Sequence, residues 1–237
     1  MFEGQYRGWA DRVAEVMSAH SSEFKFANLA IRGKLVYQVV ESQVPVALQY
    51  ITGPQTLVSF HAGANDVLRP NYNPAEVLPI YAQAVRKIAA SGATVLLFTV
   101  LERTDSKGRT ADLWESRFHV FNENVRSVAR EVGAMVADAN QDGFLSDRRF
   151  LASDRLHLNA LGHDRVAQGV LEKLELPCSP TWRAPLPPKD PVSWSKKLYV
   201  DSRWIITFVA PWMWRRARGK SSGDGRTSKH SHPVPLP

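Results

Sequence analysis

Apolar positions recur along this chain at two spacings, and the alternation between them outlines a fold. Trp9, Val13, Val16 and Met17 fall on one face of a helix over 8–19. A short strand follows over 24–30. A helix over 34–51 is kinked or interrupted by Pro45, which removes a backbone donor and crowds the preceding turn. The segment 55–61 reads as a strand ending just before Gly63. A polar loop over 69–73 leads to Pro74, a favoured first residue for a helix running to 90. Residues 93–100 are an almost unbroken apolar run, as expected of a strand covered on both faces of a parallel sheet. A helix over 113–132, a short strand over 134–137 and a last helix over 158–174 complete the pattern, with a cap for that helix expected within 154–157.

The order α-β-α-β-α-β-α-β-α predicts a parallel sheet with helices on both faces. Such a domain ordinarily opens with a strand, and this one opens with a helix. Past residue 176 the pattern changes. Residues 177–191 hold six prolines and read as a semi-rigid linker. Residues 192–218 are aromatic and basic. Residues 219–237 are polar and rich in Gly, Ser and Pro, and are expected to be disordered.

Charge follows the same division. The formal net charge of +7 is concentrated at one end. Residues 1–182 carry 19 Lys and Arg against 20 Asp and Glu, and residues 183–237 carry 11 against 3. A nucleic-acid-binding fold would spread positive charge over its folded face, so no nucleic-acid partner is expected. The single Cys178 excludes an intramolecular disulfide and a cysteine-based zinc site. No stretch reaches the roughly 20 apolar residues of a membrane-spanning helix, and no signal-peptide pattern opens the chain; a cytoplasmic protein is expected.

Three segments carry candidate chemistry, each at a strand-to-helix junction. Gly33 follows the strand 24–30, Gly63-Ala-Asn65-Asp66 follows the strand 55–61, and Asp154-Arg-Leu-His157 precedes the last helix. In a parallel sheet these junctions share the carboxyl edge, where ligands bind in such folds. The residue types suit acyl transfer. A tetrahedral oxyanion needs fixed donors; the Gly33 N–H and the Asn65 amide are suitable, each worth roughly 3–4 kcal/mol of barrier. His157 can move a proton near neutral pH, and Asp154 can hold its ring and stabilise the imidazolium. Gly63, Asp66 and His61 are expected to line the substrate site. Each feature alone has a plainer reading, as a turn glycine, a common loop or a helix cap. Their joint order, each at the right end of its element, favours the functional one.

These residues resemble the sequence blocks of the SGNH hydrolases, the GDSL esterase/lipase family. Gly33 matches the second block, Gly63-Ala-Asn65-Asp66 the third and Asp154-Arg-Leu-His157 the fifth, within a resemblance covering about residues 5–175. The resemblance implies a flavodoxin-like three-layer α/β/α fold, with the first strand central between the second and third. It implies a serine ester hydrolase with no cofactor, oxyanion donors Gly33 and Asn65, and a His157–Asp154 pair acting on small-molecule or lipid esters.

The first block, Gly-Asp-Ser, which carries the nucleophile at the end of the first strand, has no counterpart. The only Asp-Ser pairs are Asp105-Ser106, in a polar loop, and Asp201-Ser202, near the C-terminus. Removing a central strand would leave backbone groups unpaired in the core. The expectation is therefore an active hydrolase whose first strand and serine lie outside these 237 residues. A catalytically inactive binding protein and an acyltransferase are the alternatives.

His157 and His163 are six residues apart, on opposite sides of a helix, so no metal site is expected there. Arg32 and Arg69 flank the two glycine-bearing loops. The apolar, aromatic run 204–214 followed by Arg215, Arg216 and Arg218 has two readings: packing against the hydrolase domain, or peripheral contact with a membrane surface. Nothing in the sequence sets the oligomeric state.

Overall fold

The computed structural model describes residues 7–102, 108–141 and 143–236. The Asp105-Ser106 pair lies outside the described residues.

The core is a parallel three-stranded sheet in the order β2 (Leu57–Phe60), β3 (Thr94–Phe98), β4 (Met135–Ala137). Leu57 stands opposite Thr94, and Leu96 opposite Met135. Successive side chains of β3 alternate between two helical layers, as strand geometry requires. Val95 and Leu97 pack with Phe60, Tyr81, Val85, Phe121 and Val125, beneath α5 (Pro74–Ala90) and α6 (Arg109–Val132). Leu96 and Phe98 pack with Val13, Ala167, Val170 and Leu171, beneath α1 (Trp9–His20) and α7 (Ala160–Lys173). This is the expected three-layer α/β/α arrangement.

β1 (Lys25–Asn28) departs from the expected sheet. It pairs antiparallel with β5 (His230–Pro235), with Lys25 opposite Pro235, and the two form a separate ribbon. The expected central strand would sit between β1 and β2. Among the described residues β2 has no partner on that side. A strand's free N–H and C=O groups seek a partner, and β1 finds one in the C-terminal tail. Residues 219–237, expected to be disordered, thus carry a strand. Lys229 adds an ion pair to Asp11 on α1 (2.7 Å), and the Tyr50 hydroxyl donates to the Ser231 carbonyl (2.9 Å).

Other departures are local. The helix expected over 34–51 breaks at Gln43 into α2 (Val36–Ser42) and α3 (Val44–Leu48), with Pro45 in the first turn of α3. Gly-Ala-Asn-Asp is no open loop. Gly63, at φ 99°, caps the one-turn helix α4 (Ala64–Val67). The last helix is capped by Asn159, whose side chain accepts the Gly162 N–H at 3.0 Å, rather than by a residue of 154–157. The proline-rich segment is pinned: Trp182 is buried against α7, and Pro187 accepts a hydrogen bond from Arg149 (2.7 Å). Beyond it, α8 (Trp194–Trp204), a π-helical turn (Ile205–Val209) and α9 (Ala210–Ala217) run on in sequence.

Candidate active site

Asp154 and His157 meet because the chain between them makes a tight reversal. Leu151 and Leu158 pair across it, the Ala152 N–H donates to the His157 carbonyl (2.7 Å), and Arg155 takes the left-handed conformation at φ 60°. One carboxylate oxygen of Asp154 accepts the backbone N–H groups of Leu156 and His157, both at 3.0 Å. The other lies 2.7 Å from His157 Nδ1. Partial burial pushes the Asp154 carboxyl up, but the hydrogen bonds from the His157 backbone, the His157 ring and Leu156 outweigh it and hold the group below its ordinary value. Asp154 is therefore ionised and places the ring proton on Nδ1, which leaves Nε2 as the acceptor nitrogen. Nε2 faces the guanidinium of Arg32 at 3.5 Å.

Arg32 precedes Gly33, so this contact brings His157 beside the first oxyanion candidate. Gly33 has φ 77°, a conformation that L side chains resist. The two glycine-bearing segments are stitched together by two bonds from α4. The Asn65 side-chain amide donates to the Lys34 carbonyl at 3.1 Å, and an Asp66 carboxylate oxygen accepts the Val36 N–H at 2.9 Å. The Asn65 amide retains a second N–H for a ligand oxygen. Burial pushes the Asp66 carboxyl up to about 6, against the bonds from the Val36 and Asp66 backbone and the nearby Arg69.

The remaining sequence candidates fall into different places. Gly63 is buried against Phe121, whose ring a Cβ would meet at 2.5 Å, so close packing and its positive φ account for the glycine. Asp66 faces the backbone of Val36. His61 is solvent-exposed and stacks on Phe98, with ring centres 5.3 Å apart. His163 accepts the backbone N–H of Trp9 at 3.2 Å and so ties α7 to the start of α1. Among the described residues no group of three metal-ligating side chains assembles.

Two features had no sequence signal. The Trp204 indole donates to the Asp154 carbonyl (3.0 Å), while Arg155 lies over the Trp204 ring (4.7 Å) and pairs with Asp201 (2.7 Å). The catalytic-loop candidate is thus braced by α8. The second feature is the tail: the Ser221 hydroxyl donates to the Gly33 carbonyl at 3.0 Å. These contacts join segments about 50 and 190 residues apart, beyond the reach of periodicity or local motif.

A parallel sheet between two helical layers, with the Asp154–His157 pair beside the Gly33 loop and Asn65 bonded to the residue after Gly33, is the arrangement of a hydrolase-type α/β/α protein. The chain matches the family model of the GDSL-like lipase/acylhydrolase family over residues 2–165, and it belongs to that family. Its fold is similar to that of a catalytic mutant of Axe2, an acetylxylan esterase from Geobacillus stearothermophilus (20% identity, TM-score 0.58, covering 72% of this chain and 82% of that one). It is also similar to TesA (20%, 0.59, covering 71% and 87%) and to the psychrotrophic esterase EstA from Pseudoalteromonas sp. (18%, 0.53, covering 71% and 86%). The comparison with curated proteins gives no match.

Proposed function

We propose that this chain carries the base and oxyanion halves of a serine ester hydrolase. His157 Nε2 takes the proton of the attacking serine, Asp154 stabilises the imidazolium, and the Gly33 N–H with the Asn65 amide receives the oxyanion. The acyl-enzyme is then cleaved by a water that His157 activates. The carrying observation is the bond from His157 Nδ1 to an ionised Asp154, with Nε2 turned to the Gly33 loop. The catalytic mutants of Axe2 replace a serine and a histidine in their respective chains, which fits this division of labour.

The serine would come from a strand seated between β1 and β2, where β2 is unpaired among the described residues. Adding a Gly-Asp-Ser strand ahead of residue 1 and measuring p-nitrophenyl acetate hydrolysis tests this. Turnover that disappears in His157→Ala is expected; turnover unaffected by that change excludes His157 as the base. One observation favours a second reading, a binding protein without catalysis: among the described residues His157 Nε2 meets Arg32 and no serine.

We also infer peripheral membrane contact. Neither α8 nor the π-helical turn has a buried residue, and Trp194 (78% exposed), Ile206 (70%) and Trp214 (60%) stand open to solvent. Residues 192–218 pair these with six Lys and Arg against the single Asp201. Aromatic side chains beside cations suit the interface of an anionic bilayer. No helix among the described residues is long and apolar enough to cross one.

A further inference from the structure

The Gly33 loop is covered by a segment from the far end of the chain. The Ser221 hydroxyl donates to the Gly33 carbonyl, and Gly223 lies so close that a Cβ there would sit 1.9 Å from the Arg32 carbonyl oxygen. The segment holds its own shape. Asp224 accepts the Ser221 N–H (2.7 Å), and Arg226 donates to the Ser222 carbonyl (3.1 Å). It is anchored beyond by the β1–β5 ribbon and by the Lys229–Asp11 ion pair.

Between this segment, the start of α2 and the residues after α4 lies a cavity of about 300 Å³, at the small end of ligand-pocket sizes. Gly33, Tyr37, Arg69, Asn71, Ser221 and Asp224 line it. Its chemistry is mixed in a specific way. Arg69 supplies guanidinium donors. Asp224 supplies an acceptor, and Asn71 and Ser221 can do both. Tyr37 adds a half-exposed aromatic ring. A fatty acyl chain would strand these polar groups without partners. A phosphate or carboxylate would face Asp224 as well as Arg69. Hydroxyl groups, each both donor and acceptor, satisfy the full set, and a sugar ring adds an apolar face for an aromatic neighbour.

We propose that residues 219–226 form one wall of a substrate subsite beside Gly33, which takes an uncharged, hydroxyl-rich group such as a sugar ring. This rests on reading the same edge as the ester-hydrolase site. The tail then sets which esters are accepted, and it does so without supplying a reacting group.

The test is equilibrium binding to the 237-residue chain, followed by calorimetry and ligand-observed NMR, with cellobiose, hexanoate and inorganic phosphate as probes. Cellobiose should bind, and Arg69→Leu and Asp224→Ala should each weaken it about tenfold, the scale of losing one hydrogen bond to a charged group. Ser221→Ala serves as the second tail variant if Asp224→Ala fails to fold by circular dichroism. No cellobiose binding overturns the proposal. So does binding unchanged in the Arg69 and tail variants, or tighter binding of hexanoate or phosphate. Turnover by the serine-extended chain without cellobiose binding sinks the subsite alone. Cellobiose binding that responds to the variants, without turnover, upholds the subsite and sinks the hydrolase reading alone.

Discussion

The Asp66 carboxylate accepts the backbone N–H of Val36 at 2.9 Å while only 6% exposed, and so locks the one-turn helix α4 onto the loop that follows Gly33. Burial raises its pKa from the ordinary 3.8 to about 6. Between those values the folded protein holds a proton that the unfolded chain has released. Stability from this group is therefore full below about pH 4 and declines as pH rises through 6, by up to about 3 kcal/mol. Asp66→Asn keeps an acceptor oxygen and removes the ionisation. Urea denaturation should find the variant close to wild type at pH 4 and more stable than wild type at pH 7.

Gly223 lies against the Arg32 carbonyl with no room for a side chain, whereas Gly219, also in the tail, has open space around its Cβ position. Gly223→Ala must push two backbone segments apart. It should cost about 1–3 kcal/mol and loosen the tail, seen as faster amide exchange across His230–Pro235. Gly219→Ala pays only for its positive φ of 68° and should cost about 1 kcal/mol without that exchange signature.

The exposed apolar side chains of α8 and the following turns predict binding to vesicles containing anionic lipid. Replacing Trp194, Ile206 and Trp214 together with Ser should weaken co-sedimentation at least tenfold, given about 1.5–3 kcal/mol for each large side chain removed from water. Raising salt should weaken what remains, since the cations of this segment act through screened attraction. Unchanged sedimentation would favour a protein partner for this face.

Trp204 holds the catalytic-loop candidate from outside, by donating to the Asp154 carbonyl and stacking under Arg155. In a serine-extended chain, Trp204→Phe removes the donor and keeps the ring. A fall in kcat of a few-fold with little change in KM is expected, because a brace of this kind positions His157 rather than binding substrate.

Much of the fold is legible in the sequence because β3 and its covering helices obey local periodicity. Val95 and Leu97 face one layer and Leu96 and Phe98 the other. The Asp154–His157 pair is legible for the same reason, since three residues in a turn suffice to bring the groups together. The partner of β1 is not legible. Lys25–Asn28 reads as a strand, but strand character does not name its neighbour, and the polar composition of 219–237 hides a segment whose order comes from backbone pairing. The bonds of Ser221 to Gly33 and to Asp224 are hidden for the same reason. Gly63 has a second reason that the sequence does not show: a Cβ there would meet the Phe121 ring at 2.5 Å.

The central claim is that His157 is the base of an ester hydrolase whose serine enters on a strand beside β2. It is tested most directly by p-nitrophenyl acetate turnover in the chain extended by a Gly-Asp-Ser strand, with and without His157→Ala. The account predicts measurable turnover that needs the added serine and falls by about 10³-fold or more in His157→Ala. Turnover that persists in His157→Ala, or an extended and folded chain that hydrolyses no ester, would contradict it.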